Sequence, residues 1–287
     1  MLDLIVAEWP RDPFFNLAFE EAVYRVGPRG GASGVLRLWR NERAVVVGRL
    51  QCAPLEVDAL QCAALGVKVV RRFTGGGAVY HDLGNLNYAL TIDRRRHGVE
   101  DARSAFELVG RAVAEALSGL GVEGASYRPL NDVEAGGLKI SGMAASISAG
   151  RVFVHGAMLV SSDIEVLWRV LKISPEKLSD KSFVPSRPRR VTTVERELGR
   201  RVDPLEVGRA VAESLAEALG AELSEPRGPD ELELGAAREL YERRYSRLEW
   251  NLWCLEKVRG LLSPEEVEAL RLVASPEAVG RGERDLR

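Results

Sequence analysis

The chain reads as an α+β protein, and three observations lead there. Short β-branched or alternating runs flank a triple-glycine segment at residues 75–77. Residues 126–160 alternate in short runs broken by Gly136-Gly137, Gly142 and Gly150, as a meander of strands does. Around these lie several apolar stripes at spacings of three and four, opened by capping residues and closed by glycine, which is the pattern of amphipathic helices.

In chain order, residues 2–8 have the composition of a first strand. Asp12-Pro13 supplies a capping side chain and then proline at the first helical position. Phe15, Ala18, Phe19, Ala22 and Val26 form one stripe, which Gly27-Pro28 ends. Leu36 and Leu38, then residues 44–47, read as a hairpin turning at Asn41-Glu42. Residues 54–65 are helical in composition and closed by Gly66. Val67, Val69 and Val70 make a strand that enters the glycine segment. Leu86, Tyr88 and Leu90, alternating with Asn87, Ala89 and Thr91, make the strand that leaves it. Asp101 caps a helix whose buried face carries Phe106, Val109, Val113 and Leu117. After the meander come a helix over 162–171, a proline- and arginine-rich loop over 182–190, a helix from Asp203-Pro204 to Gly220, and another after Gly228-Pro229. Ser263-Pro264-Glu265-Glu266 is a capping-box pattern that opens a short last helix fraying into charged residues. One domain is expected over residues 1–255, with a helical tail over 256–287.

The composition narrows the function classes. With 287 residues, 46% hydrophobic and 29% charged, the chain can bury a sizeable core. A net charge of −2 provides no global basic field, so no nucleic-acid partner is expected. No apolar run approaches the roughly 20 residues of a membrane span, so no membrane partner is expected either. The N-terminus lacks a basic leader and reads as a strand, not a signal peptide. Cys52, Cys62 and Cys254 are few, odd in number and without CxxC spacing. Neither a disulfide framework nor a zinc site is expected, and a cytoplasmic location is favoured.

Two segments carry chemistry. Residues 71–85 read RRFTGGGAVYHDLGN. Three adjacent glycines exceed what a hairpin turn needs, and glycines in series let successive N–H groups approach and cradle an anion. Arg71 and Arg72 add planar forks suited to phosphate or carboxylate. Residues 131–144 read NDVEAGGLKISGMA. Arginine supplies 34 of the 40 basic residues, so Lys139 is a rare compact cation, followed by small residues that permit close approach to a ligand. His155 lies on a strand in VFVHGAM and is one of three histidines.

Together these segments resemble the lipoate–protein ligase family, within the wider biotin/lipoate ligase superfamily. Residues 71–85 resemble its signature loop almost letter for letter, and residues 131–144 its Asn-Asp … Lys-Ile-Ser-Gly segment. Weaker similarity at 12–22, 38–51, 154–159 and 245–252 extends the resemblance over residues 2–252. It implies the catalytic-domain fold of that superfamily: mixed, mostly antiparallel sheets flanked by helices. It implies activation of lipoate by ATP and Mg2+ to lipoyl-AMP, followed by transfer to a lysine of an acceptor domain. On the nucleotide it places Arg72, Gly75, Gly76, Gly77, Ala78, Val79, Tyr80, Asn131 and Asp132, with Asp132 also a candidate Mg2+ ligand. Lys139 would be the catalytic residue, touching both the lipoate carboxylate and the α-phosphate. On the lipoate side it places Arg71, Thr74, Gly76, His81, Lys139, Gly142 and His155, with the dithiolane tail in an apolar tunnel. About 35 residues follow Trp250-Asn251-Leu252, too few for the accessory domain of full-length members. A catalytic subunit needing a separate accessory protein is therefore expected. The rivals are an octanoyl or lipoyl acyltransferase of the same superfamily, which needs a cysteine nucleophile near Lys139, and a non-catalytic module that binds the adenylate or acceptor domain. A biotin ligase is disfavoured because its arginine-glycine repeat loop is absent.

Overall fold

A computed structural model describes residues 1–148, 150–172 and 190–276. The expected loop over 182–190 lies outside the described residues except for Arg190, as does the charged end of the tail. The strands are β1 (Leu2–Val6), β2 (Gly34–Trp39), β3 (Arg43–Val47), β4 (Lys68–Arg71), β5 (Val79–Asp82), β6 (Asn85–Asp93), β7 (Ser126–Arg128), β8 (Asp132–Ala135), β9 (Leu138–Ile147) and β10 (Arg151–Leu159). The helices are α1 (Pro13–Val26), α2 (Ala53–Glu56), α3 (Ala59–Ala64), α4 (Ala102–Gly119), α5 (Ile164–Val170), α6 (Val194–Leu198), α7 (Pro204–Ala218), α8 (Glu231–Leu240), α9 (Leu248–Asn251), α10 (Leu255–Val258) and α11 (Pro264–Val273).

Two sheets organise the chain. The larger has the order β1-β2-β6-β10-β9-β8-β7 and is antiparallel except for β1 against β2. The smaller has the order β4-β3-β5, with β3 parallel to β4 and antiparallel to β5. The fold is α+β with mixed, mostly antiparallel sheets, as the sequence leads one to expect. The expected hairpin at Asn41-Glu42 does not form, because β2 and β3 belong to different sheets. The corner between them is held by buried polar groups and contains no tight turn. Asn16 Nδ2 donates to Arg40 O (3.1 Å) and Asn41 Oδ1 (2.8 Å), and Asn41 Nδ2 lies 3.2 Å from His81 Nδ1. The single helix expected over 54–65 is two, split where Val57 bridges to Leu171 and Asp58 caps α3 through Gln61 N.

Strand alternation separates a core face from a site face on the larger sheet. Leu36, Leu38, Leu86, Tyr88, Leu90, Val154 and Met158 point into a core closed by Val109, Val113 and Leu117 of α4 and Val207, Val211 and Leu215 of α7. On the other face, α1 packs between the two sheets through Phe14, Phe19, Trp39, Val46 and Val70. A third cluster joins Val45, Val47 and Val69 of the smaller sheet to Leu270 and Val273 of α11.

One expectation fails outright: Cys52 and Cys254 form a disulfide, with Cα atoms 5.6 Å apart across a separation of 202 residues. No local spacing in the sequence could signal it, because the fold alone brings α2 beside the segment before α10. Among the described residues, no helix is long and apolar enough to cross a membrane.

Candidate active site

The triple glycine sits in a loop between β4 and β5, and Arg72 shapes that loop from within. The buried guanidinium donates to Val46 O (3.1 Å), Thr74 Oγ1 (3.1 Å), Gly75 O (2.6 Å) and Gly77 O (2.8 Å). A loop has no ladder to satisfy its carbonyls, and one five-donor fork serves several of them. Gly76 has φ 90°, and a Cβ there would lie 2.8 Å from Arg72 Nη2, so both backbone and space require glycine. Expected on the nucleotide, Arg72 lines the larger cavity while these donors hold the loop that walls it. Burial lowers its pKa to about 10, partly opposed by Glu20, and it stays charged at neutral pH.

Arg71 is expected on the lipoate side, and its surroundings differ from those of Arg72. It lines neither site cavity, and its side chain donates to Gly48 O (2.7 Å), Arg49 O (3.2 Å), Gln51 O (2.7 Å), Trp250 O (2.7 Å) and Asn251 O (2.9 Å). It staples the 48–51 turn to α9. Thr74 also lies behind the loop and lines neither cavity, and neither does the exposed Gly75. Thr74 Oγ1 is 2.7 Å from His155 Nε2, His155 Nδ1 is 2.9 Å from Glu20 Oε2, and Trp39 Nε1 donates to Glu20 Oε1 (3.1 Å). Beside the Glu20 carboxylate, Nδ1 donates, and Nε2 faces the threonine hydroxyl. Glu20, buried on α1, is a site-supporting residue that sequence reasoning missed.

A cavity of about 520 Å³ opens between the sheets. Leu17, Trp39, Val46, Arg72, Gly76, Gly77, His81 and His155 line it, together with Asn131, Asp132 and Lys139. A second, more apolar cavity of about 120 Å³ is lined by Tyr80, Ile140, Trp168 and Leu171 among others. Ala78, Val79, Lys139, Gly142 and Ala157 line both.

Strand register explains the partition. Trp39 pairs with Asn87, Asn87 with Ala157, Ala157 with Gly142, and Gly142 with Asp132, one row across five strands. Lys139 is an odd number of residues from Gly142 and would face the core in a regular strand. A bulge at Val133/Glu134 shifts the register so that Lys139 lies opposite Glu134, on the same face as Asp132 and Gly142. The ammonium then meets Asp132 Oδ1 at 2.7 Å. A Cβ on Gly142 would lie 2.4 Å from Lys139 Nζ, so the glycine leaves the space that the ammonium fills. Asn131 Nδ2 donates to Met143 O (2.5 Å), securing the edge of β9 beside this pair.

Three buried polar atoms on cavity-lining residues have no partner among the described residues: Nε2 of His81 and Nδ2 of Asn87, residues of the larger cavity, and Oδ1 of Asn85, a residue of the smaller. Burial, reinforced by Arg72 and His155, lowers the His81 pKa to about 3, so it is neutral. Because Asn41 offers Nδ2 to His81 Nδ1, the imidazole proton sits on Nε2. The strand alternation at Asn87 was the available signal for these residues; nothing in the sequence set Asn85 or Trp39 apart as wall residues.

Residues 12–216 match the family model described as the lipoyl protein ligase A/B catalytic domain. The chain is similar to "Lipoate-protein ligase A subunit 1" of Thermoplasma acidophilum, 36% identical over 264 residues that cover 88% of this chain and 97% of that one. A structure described as a bipartite lipoate protein ligase and its E2 lipoyl domain from the same organism superposes with a TM-score of 0.75 at 33% identity, covering 92% of this chain and 98% of that one. A lipoate-protein ligase A bound with ATP gives a TM-score of 0.74 at 32% identity, covering 88% and 98%. With its signature loop and lysine strand built around one shared ammonium, the chain belongs to the lipoyl protein ligase A/B catalytic-domain family.

Proposed function

We propose that this chain is the catalytic subunit of an ATP-dependent lipoate–protein ligase. The observation that carries the reading is that Lys139 lines both cavities, so one cation can touch two ligands. The acid lies in the larger cavity with its carboxylate at Lys139. The adenine lies in the smaller, more apolar one. The carboxylate oxygen attacks the α-phosphorus, the bond to the bridging oxygen breaks, and pyrophosphate leaves. Lys139 stabilises charge that develops on both groups, a preorganised contact whose loss costs roughly 10²–10³ in rate. In the second step the amine of an acceptor lysine attacks the acyl carbonyl and AMP departs.

Mg2+ fits as a companion of the nucleotide. Among the described residues no group of three His, Cys, Asp or Glu side chains could hold a metal. Mg2+ commonly takes one or two carboxylates together with phosphates and water. Asp132, a carboxylate in the wall of the larger cavity, would supply that ligand, and the ion would offset phosphate charge.

The acyltransferase reading lacks its nucleophile. No cysteine lines either cavity, Cys52 and Cys254 are bonded to each other, and Cys62 is buried with its thiol pushed up to about 12. A separate accessory subunit and an E2-type lipoyl domain as acceptor follow from the similarity to a bipartite system. The test is lipoyl-AMP formation from lipoate, ATP and Mg2+, with and without the partner subunit, followed by acylation of a lipoyl domain. Activity that appears with the partner and falls 10²–10³-fold in Lys139→Ala supports the proposal. No lipoyl-AMP with the partner present refutes it, and full activity of the chain alone refutes the need for a partner.

A further inference from the structure

Of the five tryptophans, four are held by the fold and Trp168 is not. Trp39 Nε1 donates to Glu20 Oε1 (3.1 Å), Trp250 Nε1 to Arg71 O (2.9 Å) and Trp253 Nε1 to Gln51 O (3.1 Å). Trp9 packs edge-on against Phe15 and Phe19, with ring centroids 4.7 and 5.0 Å away. The Trp168 indole makes no hydrogen bond, ring contact or cation–π contact among the described residues, and the residue is 40% exposed. A large aromatic side chain that neither the core nor a polar partner claims is the kind of residue that a ligand covers.

Its place is the wall of the smaller cavity. Leu167, Trp168, Leu171 and Lys172, from α5 and the residues after it, line that cavity. Spacings of three and four put Trp168 and Leu167 on the same side as Leu171. The neighbours are already committed. Leu167 is buried in the core cluster of the smaller sheet, and Lys172 Nζ lies 3.2 Å from Glu266 Oε1. Tyr80, the other aromatic residue of this wall, is 3% exposed and belongs to the same cluster. Lys139 lines both cavities, whereas Trp168 lines the smaller alone. A nucleotide held by its α-phosphate at Lys139 therefore extends its base toward a wall whose accessible aromatic group is this indole.

We propose that Trp168 is a nucleotide-binding residue, on whose indole the base stacks. The inference rests on the ligase reading, which puts ATP in this cavity. Stacking of a base on an aromatic side chain strengthens binding by about tenfold. It acts through the π-face and not through the edge of the base, so it holds the nucleotide without choosing adenine. The contact is the same before and after the α-phosphorus is attacked, so it contributes to KM and not to kcat.

The experiment uses the full chain with its partner subunit, as wild type, Trp168→Ala and Trp168→Phe. The readouts are KM for ATP and kcat for acyl-AMP formation, and inhibition by inorganic tripolyphosphate, which carries the charge of ATP without a base. Tm checks the fold, which an exposed position should leave near wild type. In Trp168→Ala the KM for ATP is expected to rise about tenfold at unchanged kcat, and Trp168→Phe to restore most of the loss. Inhibition by tripolyphosphate should be the same in all three. An unchanged KM for ATP in folded Trp168→Ala overturns the proposal. Equal weakening of ATP and tripolyphosphate overturns it too, because the loss would then lie in the cavity wall and not in the base. Quenching of indole fluorescence by ATP, present in wild type and absent from Trp168→Ala, stands apart from turnover. If no acyl-AMP forms, the ligase reading fails, and that quenching still supports the base contact, while its absence overturns it.

Discussion

Gly142→Ala separates the geometry of the site from the stability of the fold. A Cβ at this position would sit 2.4 Å from Lys139 Nζ and 2.6 Å from Cε, with Asp132 Oδ1 at 3.6 Å. Ordinary carbon contact begins near 3.4 Å, so the ammonium must move by about 1 Å or swing away. Only the tip of a flexible side chain stands in the way, and Gly142 is not among the positive-φ glycines. The backbone therefore accepts alanine, and removing a glycine from a strand at a compatible φ is neutral or stabilising by up to about 1 kcal/mol. The movement would break the 2.7 Å contact to Asp132 and carry the cation off the line shared by the two cavities. A displacement of about 1 Å in a positioned catalytic group costs on the order of 10²-fold. Pyrophosphate release under saturating acid and ATP measures the rate, and thermal unfolding measures the fold. The expected result is a loss of about 10² in rate at unchanged or slightly raised Tm. Wild-type turnover in a folded Gly142→Ala chain would show that the Lys139 position seen here is not the working one.

Three further outcomes follow from groups outside that contact. Cys52→Ser or Cys254→Ser opens a cross-link that spans 202 residues, and unfolding in denaturant should show a loss of roughly 2–5 kcal/mol, which a reductant reproduces in wild type. His81 has a folded pKa of about 3 against 6.5 in the unfolded chain, so the unfolded state takes up the proton first as pH falls. Stability should therefore be lost below pH 6.5 toward pH 3 by about 1.4 kcal/mol per unit from this group, and the component should vanish in His81→Phe denaturation curves. Cys62→Ala should retain acyl-AMP formation and acyl transfer, because a thiol raised to about 12 is protonated at neutral pH; loss of transfer in a folded variant would revive the cysteine mechanism.

Much of the fold was legible because local chemistry and tertiary role agree. Asp12, Asp101, Asp203 and Ser263 cap the helices they were expected to cap, and each helix buries its apolar stripe. The meander is antiparallel throughout. The illegible parts depend on partners distant in sequence. Nothing in residues 36–47 says that two successive strands enter different sheets; that is settled by Asn16, some 25 residues earlier, holding the corner. The disulfide depends on a coincidence of place between α2 and the residues before α10. The bulge at Val133/Glu134 is equally silent, yet without it Lys139 would not lie on the same face as Gly142.

The arginines show why candidate ligand contacts are harder to read than candidate cores. Arg37, Arg71 and Arg72 are all buried, and burial lowers all three pKa values, to about 9, 9 and 10. From sequence, two of them beside a triple glycine suggest phosphate. In the structure all three direct their donors at main-chain carbonyls: Arg37 at Ala7 and Asn16, Arg71 at the 48–51 turn and α9, Arg72 at the glycine loop. Many of these carbonyls lie in the irregular segments that join the sheets, where no ladder supplies a partner. A guanidinium satisfies several at once over a broad planar fork and cannot shed its charge at neutral pH, whereas lysine gathers its three donors on one compact nitrogen. On the proposed reading, the same chain that uses arginine for structure leaves lysine for the reacting centre. A compact ammonium on a flexible stem can follow charge as it moves from carboxylate to phosphate, which a fork already bonded to its own backbone cannot do.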